Sequence, residues 1–141
     1  MSIRTAISTW SGDLKTGTGK VKLGSGILEA PYSFSSRFEE GAGTNPEELL
    51  GASIAGCYGM FLSAILSKDG FIPTSIETTA RVHLGDGPKV TLIELSVQAE
   101  VPKIDKMAFQ TYTETARDNC PISVALSAVE KKLTATLKQT A

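Results

Sequence analysis

About 18 consecutive uncharged residues, Leu49 to Leu66 (LLGASIAGCYGMFLSAIL), limit what this chain can fold into more than any other feature. A stretch of this kind has to be enclosed, either by lipid or by the rest of the protein. Its upstream flank reads Asn45-Pro46-Glu47-Glu48. Asn45 suits an N-cap and Pro46 the first helical position. Glu48 falls where a capping-box acid reaches back to the cap residue's N–H, and both acids complement the helix dipole. Flank and apolar run together predict a helix reaching about Lys68 and stopped at Gly70. Leu50, Ile54, Cys57, Phe61 and Ile65 fall along one stripe at helical spacing. Gly51, Ala52, Ala55, Gly56 and Gly59 let other backbones come close on the remaining faces, so a helix covered on most sides is expected. The run has only the minimum length for a membrane span and contains Ser53, Cys57, Tyr58 and Ser63. The strands around it need a core partner. A buried central helix is therefore expected rather than a span, with no membrane partner.

The rest of the chain supplies those strands. Ser2 to Trp10 and Lys20 to Leu23 read as strands, and the alternation in YSFSSRF (Tyr32 to Phe38) reads as a third. Glu39 to Thr44 is a polar, glycine-bearing loop. Ser75 to Leu84 alternates, GDGP turns, and Lys89 to Val101 returns as the second arm of a hairpin. Val90 and Leu92 sit out of phase with Leu95, Val97, Ala99 and Val101, which predicts a bulge near Ile93. Asp105 is placed to cap a helix running to about Asn119, with Ile104, Ala108, Tyr112 and Ala116 spaced by four. Pro121 starts another helical piece to about Ala128, and LTATLK closes as a strand. This order makes an α+β chain, expected as a single domain over residues 1–141.

Composition excludes several functions. Net charge is -1 with the basic residues scattered, which argues against a nucleic-acid surface. One histidine and two cysteines are too few for a closed zinc site, and no phosphate loop appears, so no metal or cofactor is expected. The N-terminus MSIRTAISTW has no apolar segment after a basic start, so it does not read as a signal peptide, and a reducing cytoplasm is expected.

Chemistry then rests on the two cysteines. A pair in such a setting suggests redox work more than a structural staple. Cys120, in NCPIS, would be the N-cap of a helix beginning at Pro121. Unpaired N–H groups and the dipole would then lower its thiol pKa, the alternative being a small apolar residue that happens to precede proline. Cys57 lies in apolar surroundings and by itself reads as an inert core thiol unless a cation is near. Arg37 is the candidate cation, although a solvated strand-edge charge is the commoner fate of an arginine. Glu48 is occupied by the capping box, so Glu47 is the acid free to hold Arg37. Ten residues separate Glu47 from Cys57, about 15 Å along a helix. A shared site would need Glu47 from a second subunit, which predicts a two-fold dimer with composite sites. His83, on the polar face of a strand, reads as solvated.

The stretches RFEEGAGTNPEELLGAS-IAGC, DGFIPTSIETTA and NCPIS closely resemble the osmotically inducible protein C / organic hydroperoxide resistance family, nearest to the osmotically inducible protein C branch. The resemblance extends over nearly the whole chain in the same order. It implies an intertwined α+β homodimer, with antiparallel sheets around long central helices. It also implies a thiol-dependent peroxidase that reduces organic hydroperoxides, and hydrogen peroxide less efficiently, in oxidative and osmotic stress defence. By the same resemblance Cys57 is the peroxidatic cysteine and Cys120 the resolving one. Arg37 is the arginine of the Arg-Phe-Glu motif, and Glu47 the first acid after Asn-Pro. An external dithiol would reset a Cys57–Cys120 disulfide. This chain departs from the family's His-Ala-Ala-Cys-Phe at Ile54-Ala55-Gly56-Cys57-Tyr58, which bears on substrate preference. Tyr58, Met60 and Phe61 suit either a greasy peroxide tail or ordinary core packing. The rival reading is a non-catalytic stress-induced module that binds a hydrophobic small molecule or senses redox state.

Overall fold

The structure is a computed structural model that describes residues 1–138. The chain divides into two compact units, Met1–Leu49 and Leu50 onward.

The first unit opens with three strands, β1 (Ala6–Ser11), β2 (Thr18–Leu23) and β3 (Glu29–Tyr32), paired antiparallel in that order. Trp10 and Tyr32 stack with ring centroids 5.4 Å apart across Gly19, where a Cβ would come within 2.5 Å of the Tyr32 ring. Pro31 is tolerated because β3 is an edge strand. The expected third strand over Tyr32 to Phe38 is corrected here. Strand β3 ends at Tyr32, and Phe34–Phe38 is a short helix, α1. Ser33 and Ser36 form a reciprocal capping box, in which the Ser33 hydroxyl accepts from the Ser36 N–H (3.1 Å) and the Ser36 hydroxyl from the Ser33 N–H (2.8 Å). Phe34 and Phe38, one helical turn apart, stack at 5.0 Å. Aromatics spaced by four satisfy a strand alternation as well as a helix, and the serines decide between them.

Helix α2 spans Pro46–Lys68. The Glu48 N–H donates to Asn45 Oδ1 (2.8 Å), as the cap predicts. The second half of the predicted capping box is absent: Glu48 Oε2 accepts from the Thr44 hydroxyl (2.7 Å) instead. The helix ends in a Schellman motif at Gly70 (φ 88°). There the Phe71 N–H donates to Leu66 O (2.9 Å) and the Gly70 N–H to Ser67 O (3.0 Å). Length and composition would let α2 cross a bilayer. Within the second unit, however, its large side chains join a protein core. The fully buried row is Ile54, Tyr58, Leu62 and Leu66, whereas Cys57, Phe61 and Ile65 pack beside it half-buried. The buried face is turned by about one position from the predicted stripe, of which Ile54 alone is fully buried. The face carrying Ala52, Gly56, Met60 and Ala64 is exposed in the single chain, so the helix is less covered than expected.

The second sheet orders β4 (Ser75–Gly85), β5 (Lys89–Glu100) and β6 (Glu130–Lys138) with β5 central. Strands β4 and β5 form the predicted hairpin. Its register shifts where Leu84 faces Val90 and His83 faces Leu92, so the bulge falls at Thr91, just before Ile93. Ile93, Leu95, Val97 and Ala99 then share the buried face. Strand β6 pairs with β5 in parallel, making this sheet mixed where antiparallel pairing was expected. The parallel register requires a crossover, which α3 (Lys106–Asn119) and α4 (Pro121–Ala125) provide. Asp105 caps α3 through the Ala108 N–H (2.8 Å). Phe109, Thr113 and Ala116 form its buried row, with the predicted Ala108 and Tyr112 half-buried at its margin.

Candidate active site

Two pairs of candidate residues are assembled, one in each unit. In the first, α1 presents Arg37 and the first turn of α2 presents Glu47. The loop between them is folded back tightly. Thr44 N–H donates to Pro31 O (2.9 Å), the Ser36 hydroxyl to Thr44 O (2.7 Å) and Asn45 Nδ2 to Ser36 O (3.0 Å). Gly43 makes the bend possible, with φ at 123° and no room for a Cβ, which would lie 2.7 Å from Pro31 O. Glu47 consequently meets the guanidinium along its edge. Nη2 donates to Oε1 at 2.7 Å, and Nε lies 3.2 Å from both carboxylate oxygens. The Glu47 side chain is 12% exposed and that of Arg37 32%. Hydrogen bonding to Glu47 raises the Arg37 pKa, so its charge is permanent. The Phe38 ring lies under the guanidinium carbon at 5.1 Å. Among the described residues Nη1 has no hydrogen-bond partner, which leaves it able to bind an anion.

In the second unit, Cys57 sits half-buried in α2, and Cys120 sits fully buried at the α3–α4 junction. Both are free thiols. Cys120 closes α3 by donating its N–H to Ala116 O (3.0 Å) and is also the N-cap of α4, with Pro121 at the first helical position as expected. The expected lowering of its thiol pKa is corrected: the pKa is raised. Burial is the leading cause. The backbone N–H of Ser123 works the other way, without closing a capping hydrogen bond, and Cys57 then adds to the rise through its charge and through thiol hydrogen bonding. A five-residue helix has little dipole to set against full desolvation. Cys57 packs against the buried cluster that includes Cys120, although the two are far apart in sequence.

Of the two readings open for Tyr58, core packing is the one the structure bears out: the side chain is wholly buried, with its hydroxyl donating to Thr113 O of α3 at 2.9 Å. Burial raises its pKa, with Cys120 as a second cause, so it remains a neutral donor. A buried tyrosine requires a hydroxyl partner, but nothing in the sequence names that partner. Of the other apolar neighbours, Met60 is exposed, and Phe61 is half-buried against the core. Ser123 was also overlooked, although its place three residues after a cap cysteine was a readable signal. His83 is not simply solvated: its Nε2 lies 2.5 Å from Glu94 Oε1 across the hairpin, and this contact is the main cause of a lowered Glu94 pKa.

Comparison with known proteins places these residues in context. The family described as OsmC-like protein matches residues 39–134. The chain is 46% identical over 123 residues to peroxiredoxin OsmC of Escherichia coli (strain K12), covering 84% of this chain and 86% of that protein. It is 33% identical over 86 residues to an organic hydroperoxide resistance protein of Xanthomonas axonopodis pv. citri (strain 306), covering 60% and 61% of the two chains. The crystal structure of an organic hydroperoxide resistance protein OsmC from Legionella pneumophila superimposes with a TM-score of 0.72 at 22% identity, covering 96% of this chain and 99% of that one.

Proposed function

This chain belongs to the OsmC-like protein family, and we propose that it is a thiol peroxidase that reduces organic hydroperoxides through Cys57 and Cys120. The observation that carries the reading is a pair of free thiols of unequal burial, Cys57 on α2 packed against the buried cluster that includes Cys120 at the α3–α4 junction. Cys57 is the one a peroxide can reach. Burial keeps Cys120 protonated, and so unfit to be the first nucleophile.

In the proposed cycle the Cys57 thiolate attacks the terminal peroxide oxygen. The O–O bond breaks, the alkoxide leaves and takes up a proton, and Cys57 becomes a sulfenic acid, oxidised by two electrons. The free edge of Arg37 stabilises the thiolate and the charge developing on the peroxide oxygens, while Glu47 holds the guanidinium in place. Cys120 then attacks the sulfenic sulfur. Its proton leaves with the hydroxide as water, and a Cys57–Cys120 disulfide forms. An external dithiol reduces this disulfide by exchange and is itself oxidised. The proposal includes a cytoplasmic homodimer in which Arg37 and Glu47 of one subunit serve Cys57 of the other.

Mass spectrometry before and after one equivalent of an organic hydroperoxide tests the redox pair. The expected result is a loss of about 2 Da from the intact chain. Cys57→Ser abolishes this loss and all peroxide turnover, and Cys120→Ser stops at the sulfenic acid. An unchanged wild-type mass, or full turnover by Cys57→Ser, rejects the reading and leaves the non-catalytic binding module.

A further inference from the structure

We infer that Tyr58 is a positioning residue for disulfide closure, its hydroxyl tying α2 to α3 so that Cys120 is held ready for the Cys57 sulfenic acid. The inference rests on the peroxidase reading and adds a role for a residue outside the reacting groups.

The argument begins with an exception in the core. The buried row of α2 is otherwise aliphatic: Ile54, Leu62 and Leu66. Tyr58 alone carries a polar atom into it, directly after Cys57 in sequence. The hydroxyl crosses to the other cysteine's helix, where it donates to Thr113 O at 2.9 Å, with both residues 0% exposed. Thr113 lies seven residues before Cys120, about two turns of the same helix. From there α3 runs without interruption to Cys120, whose N–H closes its last turn on Ala116 O. One buried hydrogen bond therefore joins the residue next to one sulfur to the helix that ends at the other. Thr113 O belongs to a helix and needs no further donor, so the bond is not there to rescue an orphaned carbonyl. Its effect is geometric. It fixes the rotation and height of α3 against α2, and so the approach of the Cys120 sulfur to Cys57.

Closure of a disulfide within a fold depends on such pre-alignment, because the second thiol competes as an effective concentration. Formation of the sulfenic acid does not, since the peroxide arrives from solvent. The two steps should therefore respond differently to loss of the hydroxyl. A second link between these helices provides a control. Tyr112 of α3 donates to Asp69 just beyond the end of α2, but this contact is exposed and lies at the far end from Cys57.

The test is single-turnover kinetics of full-length Tyr58→Phe with an organic hydroperoxide, following sulfenic acid by trapping and disulfide by loss of free thiol. Expected are sulfenic acid formation within about twofold of wild type and closure slowed about five- to tenfold, the worth of one buried hydrogen bond. Over-oxidation of Cys57 to sulfinic acid should rise in step. The ratio of the two rates is read in the same sample, so it is independent of how much of the variant is folded. Tyr112→Phe should leave that ratio unchanged. An unaltered ratio in Tyr58→Phe overturns the inference, whether both rates hold or both fall together, and so does an equal slowing in Tyr112→Phe. If wild type forms no sulfenic acid at all, the peroxidase reading itself fails, an outcome distinct from these.

Discussion

Arg37 meets Glu47 through Nε and Nη2 at once, and lysine has no edge with which to do the same. The charge alone would survive Arg37→Lys, but the planar fork and the free Nη1 would not. The expected outcome is a fall in peroxide turnover of about one to two orders of magnitude, with far-UV circular dichroism unchanged. A variant that keeps the wild-type rate removes Arg37 from the site. At this scale the sequence distinguished the two neighbouring acids for a sound reason. A residue at the third helical position is within reach of the cap, which left Glu47 for other work. The pairing with Arg37 followed, although the partner that occupies Glu48 is Thr44 and not the cap N–H. The hydroxyl partner of Tyr58 and the raised pKa of Cys120 were not legible. Both depend on which distant atoms surround the side chain, and an apolar neighbourhood in sequence does not report that.

Among the elements, the start of α2 matters most, because Asn45 serves it twice. Its Oδ1 caps the helix, and its Nδ2 holds Ser36 O, linking the cap to α1. Asp105 caps α3 with a single side-chain bond. Asn45→Ala should therefore lose about 1–2 kcal/mol in chemical denaturation, and more than Asp105→Ala, for which about 1 kcal/mol is expected. An equal or smaller loss at Asn45 would show that the link to Ser36 contributes nothing. Helices with caps and stops were readable as elements, since those signals act over a few residues. Misreading YSFSSRF shows where this ends. Tyr32, Phe34 and Phe38 fit either period, and the deciding contacts are two serine hydroxyls bonded to backbone N–H groups. The bulge expected near Ile93 is there: the phase change marks where the buried face resumes, at Ile93, and the extra residue itself is Thr91.

For the whole molecule the central proposal is a site shared between two copies. Mixing Glu47→Gln with Cys57→Ser subunits tests it. If Glu47 serves the partner's Cys57, each mixed dimer has one intact site and one doubly broken site. Random mixing then restores about a quarter of wild-type turnover from two inactive parents. If each chain serves itself, every site keeps one defect and no activity returns, which would sink the shared-site arrangement. The identity of the family, and the order of elements from α2 onward, were determined by the sequence alone. So were the ends of α2 and α3, whereas α4 stops at Ala125, short of the expected Ala128. Caps, proline and glycine constraints and side-chain reactivity are properties of short segments. Only the tertiary structure decided that β6 lies parallel beside β5, that the row containing Tyr58 faces the core, and that burial outweighs the helix end at Cys120. These outcomes depend on desolvation and on pairings between segments far apart in the chain, where the free energy belongs to the contact and to neither segment alone.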